Sequence, residues 1–295
     1  AHILAAESAH ALQDKAARQG HLDAALQEPL SGHAGLRQSL MEGAMLRAAR
    51  WSLDDRDAAE SLLWLDRLPQ GVSRRTLAMR LRLKAARLAG EPSQALDTAL
   101  LLIKHRAFTT EAAESMVRSL VFELIAKTHE LGQLQRLWTR LGEAQRQSSD
   151  LAIQAAQHWL QLKGDPAVAR AWLKPIWHKL QPNNKQVSKA QQLKLVQVLD
   201  MSFTGQDSPE EREWLVSIET AQKANPRDAL LQFLAGRLCQ KRQLWGKAQV
   251  LLAQAAPALE DPQLRRQAWR AVAELAEQRE DVAAALQALK KAAMD

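Results

Sequence analysis

The feature that most constrains the fold is a degenerate repeat with a period of about 37 residues. Its clearest unit runs from Asn225 to Ala255, and a similar unit follows one period later. Small side chains stand where two helices of a hairpin must approach closely, at Gly236, Ala248 and Ala255. The composition suits helices, because Ala, Leu, Gln, Arg, Lys and Glu dominate while Tyr is absent and Phe occurs only four times. The sequence therefore predicts an all-α chain of repeated helical hairpins.

The turns of these hairpins recur along the whole chain. Their spacing resembles that of the tetratricopeptide repeat, whose ideal period is about 34 residues. We predict eight hairpins, and hence about sixteen helices, stacked as one α-α superhelix with a concave and a convex face. Residues 1–295 would form a single domain, with its best-defined repeats at 226–259 and 262–294. Turns are expected near Gly20, Arg56, Gly90, Gly132, Gly164, Gly205, Gln243 and Glu280.

Three segments resemble the bacterial HemY-type tetratricopeptide proteins, a family associated with haem biosynthesis. The segments are Gly43–Glu60, Arg80–Lys84 and Asn225–Ala256. The resemblance implies a scaffold for haem-biosynthesis enzymes, tethered to the bacterial inner membrane by two N-terminal transmembrane helices, with this domain on the cytoplasmic side. The chain opens on Ala-His-Ile-Leu, with neither Met nor a signal-peptide pattern, so we expect such an anchor upstream.

The sequence carries no catalytic or cofactor-binding signature. The pair His129-Glu130 lacks the second histidine of a zincin helix, and there is neither a GxSxG elbow nor a phosphate-binding loop. Cys239 is expected to be a small buried hydrophobe, since no histidine lies near it in sequence. We therefore predict a protein that is not an enzyme and has no metal or cofactor. Eight side chains are candidate haem ligands, but ordinary structural or surface duty is the interpretation that we favour for them: His10, His21, His33, His105, His129, His158, His178 and Cys239.

Basic residues are concentrated between positions 74 and 106, where eight of them face two acidic residues. Arg80, Lys84 and Arg87 recur at i, i+4 and i+7, so they share one helix face, which the repeat pattern directs into the concave groove. Their mutual repulsion costs about a few tenths of a kcal/mol per pair, and an anionic partner would relieve it. The alternative is a solvated basic face that keeps the domain soluble or close to anionic lipid. The same register places Phe122, His129, Gln154 and His158 in the groove.

Three kinds of partner follow from this groove. The first is a protein, bound by a scaffold without catalytic activity. The second is a tetrapyrrole such as haem or porphyrin, whose propionates would meet the basic wall. The third is nucleic acid, which ranks last because the net charge is only +7 over 295 residues and the repeat lengths are irregular.

Overall fold

A computed structural model describes residues 1–27, 34–179 and 188–294 of the chain. These residues form eighteen α-helices and no strand, so the predicted all-α class is confirmed. Two of the helices are single turns of four residues, and the other sixteen are longer, as the repeat count predicts. The chain forms two compact units, Ala1–Leu124 and a second unit that begins at Ile125.

The first unit contains seven complete helices and most of an eighth. They are α1 (His2–Ala11), α2 (Lys15–Gln27), α3 (Ala34–Asp54), α4 (Ala58–Asp66), α5 (Gln70–Ser73), α6 (Thr76–Leu88), α7 (Pro92–Lys104) and α8 (Thr110–Ala126). The second unit contains ten. They are α9 (Leu131–Arg140), α10 (Glu143–Arg146), α11 (Ser149–Gln161), α12 (Pro166–Lys179), α13 (Lys189–Ser202), α14 (Pro209–Ala224), α15 (Ala229–Lys241), α16 (Trp245–Ala258), α17 (Pro262–Glu277) and α18 (Val282–Met294).

Several hairpins follow the same packing rule. In these hairpins the first helix packs against both helices of the hairpin before it, as α15 does against α13 and α14. In the first unit α6 packs in the same way against α3 and α4. Each of these hairpins thus covers the apolar face of its predecessor, which is the stacking expected of a tetratricopeptide-like repeat. The two best-defined repeats of the sequence correspond to the pairs α15/α16 and α17/α18.

Polar side chains connect successive hairpins. Their partners lie 34 to 41 residues apart in sequence, which is one repeat length. A long side chain on one hairpin therefore reaches a similar level of the next hairpin, and each connection joins neighbouring repeats only. The connections are Arg18–Asp55, Asp150–Gln191, Arg170–Glu210, Asp200–Arg237 and Gln240–Glu274.

The turns between helices are closed by residues in the left-handed backbone conformation. At Gln243 (φ 60°), for example, the N–H of the next residue, Leu244, bonds to the carbonyl oxygen of Cys239 at 2.9 Å. Most of these positions are not glycine, and this explains one error in the predicted turns. Gly20 lies inside α2, and the turn between α1 and α2 is at Gln13 (φ 60°). The turn predicted near Gly132 lies between Ala126, where α8 ends, and Leu131, where α9 begins. The other left-handed residues are Arg56, Gly90, Arg106, Lys163, Gly205 and Glu280.

Glycine should therefore stabilise these turns where another residue now occupies them. The left-handed conformation costs an L-residue about 1–2 kcal/mol, whereas glycine adopts it freely but loses more entropy on folding. We expect Gln243→Gly and Glu280→Gly each to raise the free energy of unfolding by about 0.5 kcal/mol. Gly90→Ala (φ 71°) should lower it by about 1 kcal/mol. Urea denaturation followed by circular dichroism measures all three, and a loss of stability in both glycine variants would contradict the expectation.

Small and aromatic side chains fill the contacts between helices. A Cβ added at Gly236 would lie 2.7 Å from Cγ of Leu252, so α15 and α16 approach as closely as the repeat pattern predicts. In the second unit the ring of Trp172 packs on Trp138 and Trp159, with centroids 4.7 and 5.2 Å away. These rings are buried, and they therefore contribute to packing rather than to an open site.

Candidate functional site

The basic face of α6 is exposed because the opposite face of the helix is buried. Arg80, Lys84 and Arg87 all point away from the interior of the first unit, as their spacing predicts. The buried residues of α6 are Ala78, Met79, Leu83, Ala85 and Ala86. Local sequence therefore determines which side of the helix presents the cations.

The three cations line one cleft, which we call the basic cleft. It lies within the first unit and has a volume of about 750 Å³, within the range of ligand-binding pockets. Besides the cations of α6, it is lined by the end of α3, the segment after α7 and the start of α8. The remaining lining residues are Leu53, Asp54, Arg56, Leu83, Leu88, Phe108 and Met116.

One cation of the basic cleft is fixed by its neighbours. A guanidinium N–H of Arg80 donates to the carbonyl oxygen of Ala107 at 2.7 Å, and the guanidinium lies 5.9 Å from the ring centroid of Phe108. Carbonyl and ring hold the charge in place without neutralising it. Arg80 is therefore positioned in advance for an anionic group.

The cleft carries an excess of positive charge. Within the described part of the chain, Arg56, Lys84 and Arg87 have no ion-pair partner. By contrast, Arg82 on a neighbouring face of α6 pairs with Asp66 at 2.6 Å. Among the described lining residues the sole acid is Asp54, whose carboxylate is 3.7 Å from Nε2 of His10. Four cations thus face one carboxylate beside apolar side chains, an arrangement that attracts anions.

The other four predicted groove residues do not line the basic cleft. Phe122 is half-buried on α8, and His129 is exposed just before α9. Gln154 and His158 lie on α11 in the second unit, both half-buried. Nε2 of His158 donates to the carbonyl oxygen of Thr128 at 2.7 Å, so this nitrogen already has a partner. His33 lies outside the described residues.

Sequence reasoning missed the apolar part of the cleft. Phe108 comes from the segment after α7 and Met116 from α8, while Leu53 and Arg56 come from the end of α3 and the turn that follows it. Arg56 was placed at a turn but not beside the α6 cations. The available signal was the repeat itself, because the first helix of a hairpin packs on the hairpin before it.

The cysteine is buried and its thiol is not activated as a nucleophile. Cys239 is fully buried on α15, as its place in the repeat predicts. Burial, and then the nearby carboxylate of Glu219, raise the pKa of its thiol to about 11. The thiol is therefore protonated at neutral pH, which disfavours a nucleophilic role. The described residues contain no cluster of three or more metal-ligating side chains.

Comparison with known proteins defines no family for the chain. No family model matches it, and no curated protein matches it. Among solved structures it is similar to the tetratricopeptide-repeat domain of P58(IPK), with 14% identity, covering 95% of this chain and 78% of that chain, and a TM-score of 0.31. Similarity at this level says nothing about function. Within the described ranges, no helix is both long and apolar enough to cross a bilayer.

Proposed function

We propose that this chain is a non-catalytic interaction scaffold that binds an acidic segment of a partner protein in the basic cleft. The observation that carries the proposal is the grouping of four cations around apolar side chains in one cleft of the first unit. Such a surface offers carboxylates a set of charge-assisted hydrogen bonds and offers an adjacent apolar residue a contact with Phe108 and Met116.

The arrangement of charges supports a ligand more than simple solvation. A solvated face needs neither a concave shape nor apolar walls, whereas the basic cleft has both. Arg80 is already oriented by Ala107 and Phe108, so less side-chain entropy is lost when an anion binds. Because the cations are exposed, the contribution of charge to affinity should decrease as the salt concentration rises.

The resemblance to HemY-type proteins supports a more specific proposal. In that proposal the partners are enzymes of haem biosynthesis, and an N-terminal anchor outside these 295 residues holds the domain at the cytoplasmic face of the inner membrane. Its support is the order and spacing of the three resembling segments in the sequence.

A tetrapyrrole is the second candidate ligand. The volume and apolar walls of the cleft suit a flat aromatic ligand, and the cations of α6 suit its propionates. Among the described lining residues there is no histidine or cysteine, which leaves Met116 as the side chain of a type that ligates haem iron. This candidate predicts a shift of the Soret band when haem is added, and the shift should be absent from a variant with a reversed cleft charge.

The test compares two variants that carry the same change in net charge. In the cleft variant Arg80, Lys84 and Arg87 become Glu; in the control, Arg50, Arg74 and Lys104, exposed residues outside the cleft, become Glu. We expect the parent and the control to retain the same haem-pathway enzymes from membrane extracts, identified by mass spectrometry, and the cleft variant to lose them. A labelled peptide of Glu and Leu should bind the cleft variant at least tenfold more weakly than the control.

Either of two results would contradict the proposal that the basic cleft binds an acidic segment. If the cleft variant and the control retain identical sets of proteins at equal thermal stability, the basic cleft is only a solvated surface. If the labelled peptide binds both variants equally, the partner does not recognise the cations of α6.

A further inference from the structure

The exposed side of α6 carries apolar residues beside its cations. Leu77 and Leu88 are 59% and 46% exposed, and Leu88 also lines the basic cleft. At the about 100° per residue of an α-helix, Leu77, Lys84 and Leu88 lie within about 40° of one another. The two leucines stand on the side of Lys84 that is turned away from Arg80 and Arg87. The helix therefore presents a row of cations with a row of leucines next to it.

The other side of the cation row is apolar as well. Phe108 and Met116 line the basic cleft there, and the ring of Phe108 lies 5.9 Å from the guanidinium of Arg80. The cations of α6 are thus flanked by leucines of the same helix and by these two side chains. A ligand that contacts this whole surface needs a row of anionic groups with apolar groups on both sides of it. An amphipathic segment has this pattern, whereas a uniformly acidic one does not.

We infer that the ligand of the basic cleft is an amphipathic helix of a partner protein, which lies antiparallel to α6 and carries carboxylates at its positions i, i+3 and i+7. Because this ligand is an acidic segment of a protein, its assignment rests on the proposed function. The conformation of the segment, the spacing of its acidic residues and its direction are additional, and each can be tested separately.

The spacing of the cations matches a helix better than an extended chain. With a rise of about 1.5 Å per residue, Arg80, Lys84 and Arg87 stand about 6 Å and then about 4.5 Å apart along the axis of α6. A second helix has the same intervals in its own rows of side chains, so three carboxylates each meet one cation. An extended chain places the side chains of one face about 6.6–6.8 Å apart. Its third carboxylate would therefore lie about 3 Å beyond the third cation.

The charges at the two ends of the basic cleft determine the direction of the helix. Arg56 and Gly90 close the turns after α3 and α6, so Arg56 lies at the end of α6 that carries Arg87. This end has two cations, and it attracts the acidic first turn of a partner helix. A helix that begins here runs antiparallel to α6, and the two helix dipoles then oppose each other favourably. Read from this end, the cations match carboxylates at i, i+3 and i+7, whereas a parallel helix needs them at i, i+4 and i+7.

Three synthetic peptides of about 16 residues and identical composition test this assignment. The first carries Glu at i, i+3 and i+7 with Leu on both sides of this row. The second carries Glu at i, i+4 and i+7, and the third at i, i+2 and i+4, which places the carboxylates on one side of an extended chain. Fluorescence anisotropy at low salt measures their Kd for the full chain. We expect the first peptide to bind at least threefold more tightly than the second and at least tenfold more tightly than the third.

Exchange of charges locates each contact. Arg87→Glu should raise the Kd of the first peptide at least tenfold, and a peptide with Lys at position i should bind this variant within threefold of the original pair. The same peptide should not restore binding to Arg80→Glu, which needs Lys at i+7 instead. A parallel helix would show the opposite pairing. Arg74→Glu is the matched control, because Arg74 is exposed and lies outside the basic cleft, and it should leave the Kd unchanged.

The possible results distinguish the helix from the proposed function. If the three peptides bind equally and the variant with Glu at positions 80, 84 and 87 loses all of them, the cleft binds acidic segments without regard to helical register. The amphipathic helix is then wrong and the proposed function stands. Rescue of Arg87→Glu by Lys at i+7 would overturn the antiparallel direction. If no peptide binds the parent at up to about 1 mM, both the helix and the acidic ligand are wrong.

Discussion

Replacing Arg170 with methionine is expected to lower the free energy of unfolding by about 3–5 kcal/mol. The side chain of Arg170 is only 5% exposed, and its Nε and Nη2 donate to the two carboxylate oxygens of Glu210, each at 2.9 Å. Its Nη1 donates to the carbonyl oxygen of Ser202 and lies 3.5 Å from the carboxylate of Glu211, which is 1% exposed. The variant would leave this buried carboxylate without its closest cation.

Lys174→Met on the same helix is the control for this loss. Lys174 lies 3.8 Å from Glu213, and both side chains are more than half exposed, so the pair contributes little. Urea denaturation should show a change below about 0.5 kcal/mol for Lys174→Met. The double variant Arg170→Met/Glu211→Gln should recover part of the loss, because it removes both buried charges and keeps an amide oxygen that accepts from Thr204. A loss below about 1 kcal/mol in Arg170→Met would contradict a stabilising role for this pair.

Gly205→Ala is expected to have the second largest effect, a loss of about 2–4 kcal/mol. Gly205 has φ 81°, a conformation that strains an L-residue, and an added Cβ would lie 2.4 Å from the carbonyl oxygen of Lys241. That oxygen belongs to the backbone at the end of α15, so the loop between α13 and α14 would have to move. The movement would also disturb the N–H of Gly205, which donates to the carboxylate of Glu211 at 3.1 Å.

A glycine inside a helix should respond in the opposite direction. Gly20 lies inside α2, and a Cβ added there meets no atom within 4 Å. Gly20→Ala should therefore raise the free energy of unfolding by about 0.5–1 kcal/mol. If Gly205→Ala and Gly20→Ala changed the free energy of unfolding equally, neither backbone strain nor the contact with Lys241 would disfavour a side chain at position 205.

The fold could be predicted from the sequence to the extent that local patterns determine it. The recurrence of Gly236, Ala248 and Ala255 identified the close contact of α15 with α16, and turn spacing gave the number of hairpins. The first turn was misplaced at Gly20 because glycine was used as its marker. In this chain most left-handed positions are polar residues, and their conformation depends on the hydrogen bonds that close each turn.

The candidate site was predictable only along a single helix. The spacing of Arg80, Lys84 and Arg87 fixes a shared face, because helical periodicity is a local property. The apolar walls of the basic cleft come from other helices, and their positions depend on tertiary packing. The pairing of Arg170 with Glu211 was missed for the same reason, since the two residues lie a full repeat apart in sequence.

The connections one repeat apart also limit how the second unit can change length during evolution. Each joins a side chain to the next hairpin, as Arg237 is joined to Asp200, and so depends on the number of residues between them. An insertion of a few residues within α14, which lies between the partners in sequence, would change the spacing that sets Asp200 beside both Arg237 and Lys241. Duplication or loss of a whole hairpin would preserve the spacing at every other connection. Repeat number is therefore freer to vary than helix length within a repeat.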